Sequence, residues 1–141
     1  MISNQPPLQA ERHVFVYGTL RRGQANDINR LSPAPRFVGQ AVIAGVMYDL
    51  GAYPGVVLGA GGAVTGEVYA IAPALERVLD EIEELYPQNK GEYCKRELRV
   101  TVGEQQLECL VYEINPAYAA GKPLMASGDW VRAHARGCVP T

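Results

Sequence analysis

"VFVYGTL", residues 14–20, is the stretch whose reading decides the fold. Val14–Tyr17 is a short, wholly apolar run. That is the pattern of a strand covered on both faces, not of one with a wet side. At Gly18 the run breaks into Thr19-Leu20-Arg21-Arg22-Gly23. A glycine ending a buried strand is common in turns. It also lets a ligand approach the main chain, where successive N–H groups can bind a carboxylate or an oxyanion. From these residues alone both readings stand. Arg21 and Arg22 read as solvated loop residues, and His13 sits at the entrance to the strand.

Working outward, "FVGQAVIAGVMYDL" (Phe37–Leu50) is long and β-branched, with Gly39 and Gly45 placed as bends or bulges. Pro54-Gly55 marks a turn or the start of a strand. Gly59–Gly62 ("GAGG") is turn chemistry and is expected as a hairpin loop. It fails as a phosphate loop: Val64 stands where the dinucleotide pattern needs a glycine, and a strand follows instead of a helix. That strand is Val64–Ile71. Pro73 then falls where a helix begins, a favoured place for proline. In Ala74–Tyr86 the residues Leu75, Val78, Leu79, Ile82, Leu85 and Tyr86 follow helical spacing, and Pro87 ends the pattern. "EYCKRELRVTV" and "QLECLVYEI" read as a hairpin turning at Gly103-Glu104. Near the end, Ser127 is placed to cap a short helix running through Ala135. Many strands, one clear helix and no βα alternation predict an α+β or barrel-like fold, not a doubly wound sheet.

The 141 residues suit one domain, expected over 12–141, with residues 1–11 as a flexible leader. A hydrophobic content of 48% supports a core, and a formal net charge of −2 excludes nucleic-acid binding by bulk positive charge. No apolar run is long enough for a bilayer-spanning helix, and "MISNQPPLQAERH" has no apolar region of a secretion signal. No membrane partner is expected. The three cysteines, Cys94, Cys109 and Cys138, form no CxxC pair, so no metal site is expected. Mirroring about Gly103 puts Cys94 near Glu113 and Cys109 near Leu98. That predicts free, mostly buried thiols, suited to a reducing cytoplasm. The two histidines, His13 and His134, lie in no metal-binding spacing, and no serine-nucleophile motif occurs.

Glu76, Asp80, Glu81, Glu83, Glu84, Glu92 and Glu97 lie in or beside the predicted helix and the segment after it. Most are expected on a solvated face. On a helical wheel Glu84 points away from the apolar stripe, while Glu81 and Glu83 lie on its two borders. A border carboxylate is half shielded and suited to acid–base work. The wheel does not choose between the two.

"VFVYGTLRRGQAN" resembles the signature of the γ-glutamylcyclotransferase-like family, which includes the plant avirulence-induced proteins and the γ-glutamylamine cyclotransferases. "YPGVV" (Tyr53–Val57), "GEVYAI" (Gly66–Ile71), "LDEIEELY" (Leu79–Tyr86), "GEYCKRELRV" (Gly91–Val100) and "CLVYEI" (Cys109–Ile114) follow in the family's order, and "SGDW" (Ser127–Trp130) is similar to small bacterial members. The resemblance covers residues 13 to about 130. It implies a small mixed β-barrel flanked by helices, with a cavity at one end. It also implies release of 5-oxoproline from a small γ-glutamyl substrate by attack of the α-amino group on the γ-carbonyl, with no metal or cofactor. The family's acid/base, the last Glu of LDxxE, falls on Glu83. Its main-chain cradle falls on Tyr17, Gly18, Thr19 and Leu20. Tyr93 matches a family tyrosine assigned to substrate orientation. The same fold also admits a non-catalytic binding module for a small carboxylated metabolite. An interaction protein would show a collapsed pocket between Gly18 and Glu83.

Overall fold

The computed structural model describes residues 12–83 and 91–137. The middle strand of its sheet is β1 (Arg12–Val16). β3 (Pro54–Ile71) lies antiparallel on one side of β1, and β5 (Gln105–Ile114) lies parallel on the other. β2 (Arg36–Asp49) pairs outside β3, and β4 (Tyr93–Val102) outside β5, giving the order β2-β3-β1-β5-β4. The strand order explains the apolar run in β1. Val14 and Val16 pack on one face with Tyr69, Leu110, Ile114 and the helix residues Leu75 and Leu79. Phe15 and Tyr17 point to the other face, against Val64, Val68, Val111 and Trp130.

The sheet curls, so its two edges approach. A methyl placed on Gly39 of β2 would fall 2.6 Å from Val102 Cγ1 of β4. Among the described residues these edges share no strand pairing. The small mixed barrel implied by the resemblance is thus an α+β fold built on an open, strongly curved sheet. Bulges supply the bending. One sits where Phe37 faces Tyr69 and Gly39 faces Val68, leaving Val38 extra.

A second irregularity corrects the hairpin expected at Gly59–Gly62. β3 runs straight through this segment without reversing. Ala44 faces Ala63 and Gly45 faces Leu58, so residues 59–62 form a pouch on β3 opposite no partner in β2. Gly59 and Gly61 take φ of 122° and 132° there. The glycines mark a break in regular pairing, and that break is a bulge. The hairpin at Gly103-Glu104 is as the sequence implies, with Cys94 opposite Glu113 and Leu98 opposite Cys109.

The first helix, α1 (Pro73–Ile82), starts on Pro73 and buries Leu75 and Leu79 completely. The expected continuation to Tyr86, with Glu84 and Pro87, lies outside the described residues. Its acidic face is less solvated than expected. Lys95 Nζ on β4 reaches Glu76 at 2.6 Å and Asp80 at 2.9 Å, and the Tyr112 hydroxyl donates to Asp80 at 2.7 Å. These bonds fasten α1 to the β4–β5 hairpin. After α2 (Pro116–Ala119) comes α3 (Trp130–Gly137). The residue capping α3 is Asp129, whose Oδ1 accepts the Arg132 N–H at 3.0 Å; Ser127 instead accepts the Asp129 N–H.

Cys94 is exposed, contrary to expectation, while Cys109 is buried. Cys138 and the leader lie outside the described residues. Burial, helped by the charge of Glu108, pushes the Cys109 thiol up to about 11. The thiolate is the reactive form. In a Cys138→Ser background at pH 8, iodoacetamide is therefore expected to label Cys94 and to spare Cys109 until the chain unfolds, as peptide mass mapping will show.

Candidate active site

Where β1 ends, the chain folds into a pinned loop. The Arg21 N–H donates to the Gly18 carbonyl at 3.0 Å, Asn26 to Thr19 at 2.9 Å and Ile28 to Leu20 at 2.9 Å. Asp27 closes the loop from below. Its carboxylate accepts the N–H groups of Gly23 at 2.8 Å and Asn29 at 2.9 Å. Desolvation would push the Asp27 carboxyl up, but these amides and the Asn29 side chain outweigh it and hold the group below its usual value. The N–H groups of Gly18, Thr19 and Leu20 meet no acceptor among the described residues. All three residues border the space beyond the end of β1.

That space is a cavity of about 280 Å³. Tyr17, Gly18, Thr19 and Leu20 line it together with Glu83, Tyr93 and Tyr112. Glu83 caps the C-terminus of α1, where its N–H donates to Leu79 at 2.9 Å. Of the two border carboxylates, Glu81 is exposed and absent from the cavity wall. The cavity is open, so the collapsed pocket of a purely structural protein is not what this chain has.

Glu83 lies close enough for its charge to act on the tyrosines. Burial first, and then the Glu83 charge, hold the Tyr17 hydroxyl well above its ordinary value. The Tyr93 hydroxyl is raised by burial first, and by Tyr17, Glu83 and Glu92 after it. Both hydroxyls are committed to the protein. Tyr17 donates to the Tyr112 carbonyl at 2.5 Å and Tyr93 to the Pro54 carbonyl at 2.8 Å. These tyrosines are fixed neutral walls, and what Tyr93 offers a ligand is its ring.

Gly18 has a packing role that the sequence did not reveal. A methyl there would fall 2.6 Å from Pro54 Cγ and 2.7 Å from Cδ, so the loop lies directly on the start of β3. Gly18→Ala is expected to cost about 1–3 kcal/mol through overpacking against a rigid ring. A urea titration will check this.

Arg21 is the largest departure from expectation. Read as a solvated loop residue, it is 4% exposed. Its Nε meets Glu67 Oε2 at 3.1 Å and its Nη1 meets Asp129 Oδ1 at 2.9 Å. Glu67 also accepts the Arg22 N–H at 3.0 Å and the Tyr69 hydroxyl at 2.8 Å. The cradle loop is therefore locked to β3 and to the start of α3. The Arg22 guanidinium lies over the Phe37 ring at 5.3 Å. Among the described residues, no group of His, Cys, Asp and Glu side chains is placed to hold a metal ion. No described helix is long and apolar enough to cross a membrane.

Residues 14–132 match the family described as gamma-glutamyl cyclotransferase, AIG2-like, and the chain belongs to that family. The gamma-glutamylcyclotransferase family protein YtfP of Escherichia coli K12 is 32% identical over 118 residues, which are 84% of this chain and 95% of YtfP. A gamma-L-glutamyl-butirosin B gamma-glutamyl cyclotransferase of Niallia circulans is 37% identical over 75 residues, covering 52% of this chain and 47% of that protein. The crystal structure of a mouse AIG2-like protein superimposes with a TM-score of 0.69 at 26% identity, covering 86% of this chain and 88% of that one.

Proposed function

We propose that the protein is a cofactor-independent cyclotransferase that releases 5-oxoproline from a small γ-glutamyl substrate. The observation that carries this reading is the shared cavity. Glu83 and Tyr17–Leu20 line one open space, in a family that includes a γ-glutamyl-butirosin B cyclotransferase.

The chemistry follows from these groups. At neutral pH the substrate's α-amino group is mostly ammonium and cannot attack. Glu83 removes the proton, the amine attacks the γ-carbonyl, and a five-membered ring closes. Glu83 then returns the proton to the leaving nitrogen as the amide C–N bond breaks. The N–H groups of Gly18, Thr19 and Leu20 receive the substrate carboxylate and the carbonyl oxygen as it gains charge. Because Arg21 and Asp27 already hold the loop, these donors need no reorganisation during reaction. Tyr17 and Tyr93 restrict the γ-glutamyl chain to folded conformers in which nitrogen and carbon are close.

A screen of γ-glutamyl-amino acids and γ-glutamylamines for 5-oxoproline release tests the reading. Product from at least one of them is the expected result. Calorimetric binding of these compounds without product would instead identify a metabolite-binding module on the same fold.

A further inference from the structure

Glu83 is held along the helix axis by its own N–H, which donates to Leu79 at 2.9 Å. Two different kinds of contact fix α1 across the sheet. Leu75 and Leu79 are fully buried, but apolar burial has no preferred direction and lets the helix turn on its seat. The directional contacts are polar. The Lys95 ammonium on β4 meets Glu76 Oε2 at 2.6 Å and the two Asp80 oxygens at 3.0 and 2.9 Å. Glu76 and Asp80 are four residues apart on one helix face, so a single cation ties two successive turns of α1 to the hairpin. Asp80 also accepts the Tyr112 hydroxyl at 2.7 Å, and it stands less than one turn before Glu83.

Tyr112 carries the connection further. Its ring lines the cavity, and its carbonyl accepts the Tyr17 hydroxyl at the start of the cradle. A chain of bonds therefore runs from Lys95 through Asp80 and Tyr112 to Tyr17. It joins the helix that ends in Glu83 to the loop on the opposite wall. The charged members are partly buried. Desolvation offsets much of the attraction in such pairs, so net stability is a weak reason for the arrangement, and fixing position is a better one.

We infer that Lys95 is a positioning residue for the proton transfer: through Asp80 and Tyr112 it sets the angle of α1 on the sheet, and so the distance from Glu83 to the Tyr17–Leu20 cradle. The inference rests on the cyclotransferase reading. Lys95 is absent from the cavity wall and touches no reacting atom. Without its ammonium, Glu76 and Asp80 repel each other as like charges one turn apart. The helix then turns to carry them toward water, and Glu83 moves with it. A displacement of about 1 Å at a reacting group can cost about 10²-fold in rate.

The test is Lys95→Met, assayed on whichever γ-glutamyl compound releases 5-oxoproline. The expected result is a kcat lower by about 10- to 100-fold, with KM within about twofold of the parent because the cradle donors are main-chain groups. Lys95→Arg, which keeps a cation in place, should recover most of kcat. In a Glu83→Gln background, Lys95→Met should leave the residual rate unchanged, because Lys95 acts only through Glu83. A further drop there marks general loosening and overturns the inference, as does a parental kcat in Lys95→Met itself. Should Lys95→Met fail to fold, Tyr112→Phe makes the same test from the other side. It loses the hydroxyl bond to Asp80 and keeps the ring and the carbonyl that Tyr17 uses, so the same kcat loss is expected and full activity overturns the inference. Crystal structures of parent and variant supply a readout independent of turnover. Glu83 should move relative to Gly18–Leu20 by about 1 Å or more, and an unmoved Glu83 overturns the inference. A displaced Glu83 in a protein that releases no 5-oxoproline would sink the cyclotransferase reading and leave the positioning role of Lys95 standing.

Discussion

Glu83→Gln is expected to slow 5-oxoproline release by about 10³-fold, within the range a positioned acid/base contributes. Glutamine keeps the shape of the side chain and cannot take a proton from an ammonium. The helix end should not notice the change, because Glu83 caps α1 through its main-chain N–H to Leu79. Glutamine also keeps hydrogen-bonding capacity, so stability by urea titration is expected to change by no more than about 1 kcal/mol. Substrate binding should survive, since the loop donors are main-chain groups. Glu81→Gln is the control. Its side chain is exposed and outside the cavity wall, so its kinetics should match the parent. Full activity in Glu83→Gln together with loss in Glu81→Gln would move the proton shuttle to the other border of the helix.

The choice between those two glutamates shows where the sequence is informative. Spacing alone put both on the edges of the apolar stripe. Which edge faces a cavity depends on how α1 sits over the sheet. Lys95 on β4 and Tyr112 on β5 help hold it there, residues distant from α1 in the chain. The resemblance to a family pointed to Glu83, and the cavity has Glu83 in its wall. The strands were legible for a simpler reason. Burial on both faces leaves an unbroken apolar run in β1, and Gly103 fixes the β4–β5 register through a local turn. The Gly59–Gly62 pouch was misread because glycine reports a backbone that departs from the ordinary, not the direction the chain takes afterwards. How closely the sheet edges approach was not legible, since the approach of β2 to β4, as at Gly39 and Val102, joins residues far apart in the chain.

Burying charge is what most defeated the reading of the loop. Arginine is so rarely buried that Arg21 was placed in solvent on base expectation. Its partners are Glu67, in the middle of β3, and Asp129, in the "SGDW" segment. Nothing local links them. A signal did exist in retrospect. Glu67 interrupts an otherwise apolar strand beside Val68, and an acid in such a place requires a partner. Glu92, expected among the solvated acids, likewise has a partner distant in the chain: the Tyr53 hydroxyl donates to its carboxylate.

Arg21→Met is expected to destabilise the protein by about 3–5 kcal/mol, the cost of leaving a buried charge without its partner. Met fills much of the space, so packing loss is secondary. The cost arises because Glu67, its side chain 9% exposed, keeps its charge after losing the guanidinium. The Arg22 N–H and the Tyr69 hydroxyl still bond to Glu67, but neither is a cation. Total stability of a domain is typically about 5–15 kcal/mol, so the single variant should lose a large part of it and unfold at much lower urea. Replacing Glu67 as well distinguishes this mechanism from simple loss of contacts. Glutamine retains an oxygen to accept the Arg22 and Tyr69 bonds and carries no charge. Arg21→Met with Glu67→Gln should therefore be more stable than Arg21→Met alone, although two native groups have been removed instead of one. Additive losses in the double variant would show that burial of charge is not what Arg21 resolves. The loop is the place where function registers the change. Without Arg21, the turn from Gly18 to Ile28 keeps its own main-chain bonds and the Arg22 N–H bond to residue 67, but loses the guanidinium ties to β3 and to Asp129. Ligand affinity at the Tyr17–Leu20 cradle should then fall in the double variant even where its fold is intact, which calorimetry on a γ-glutamyl compound will measure.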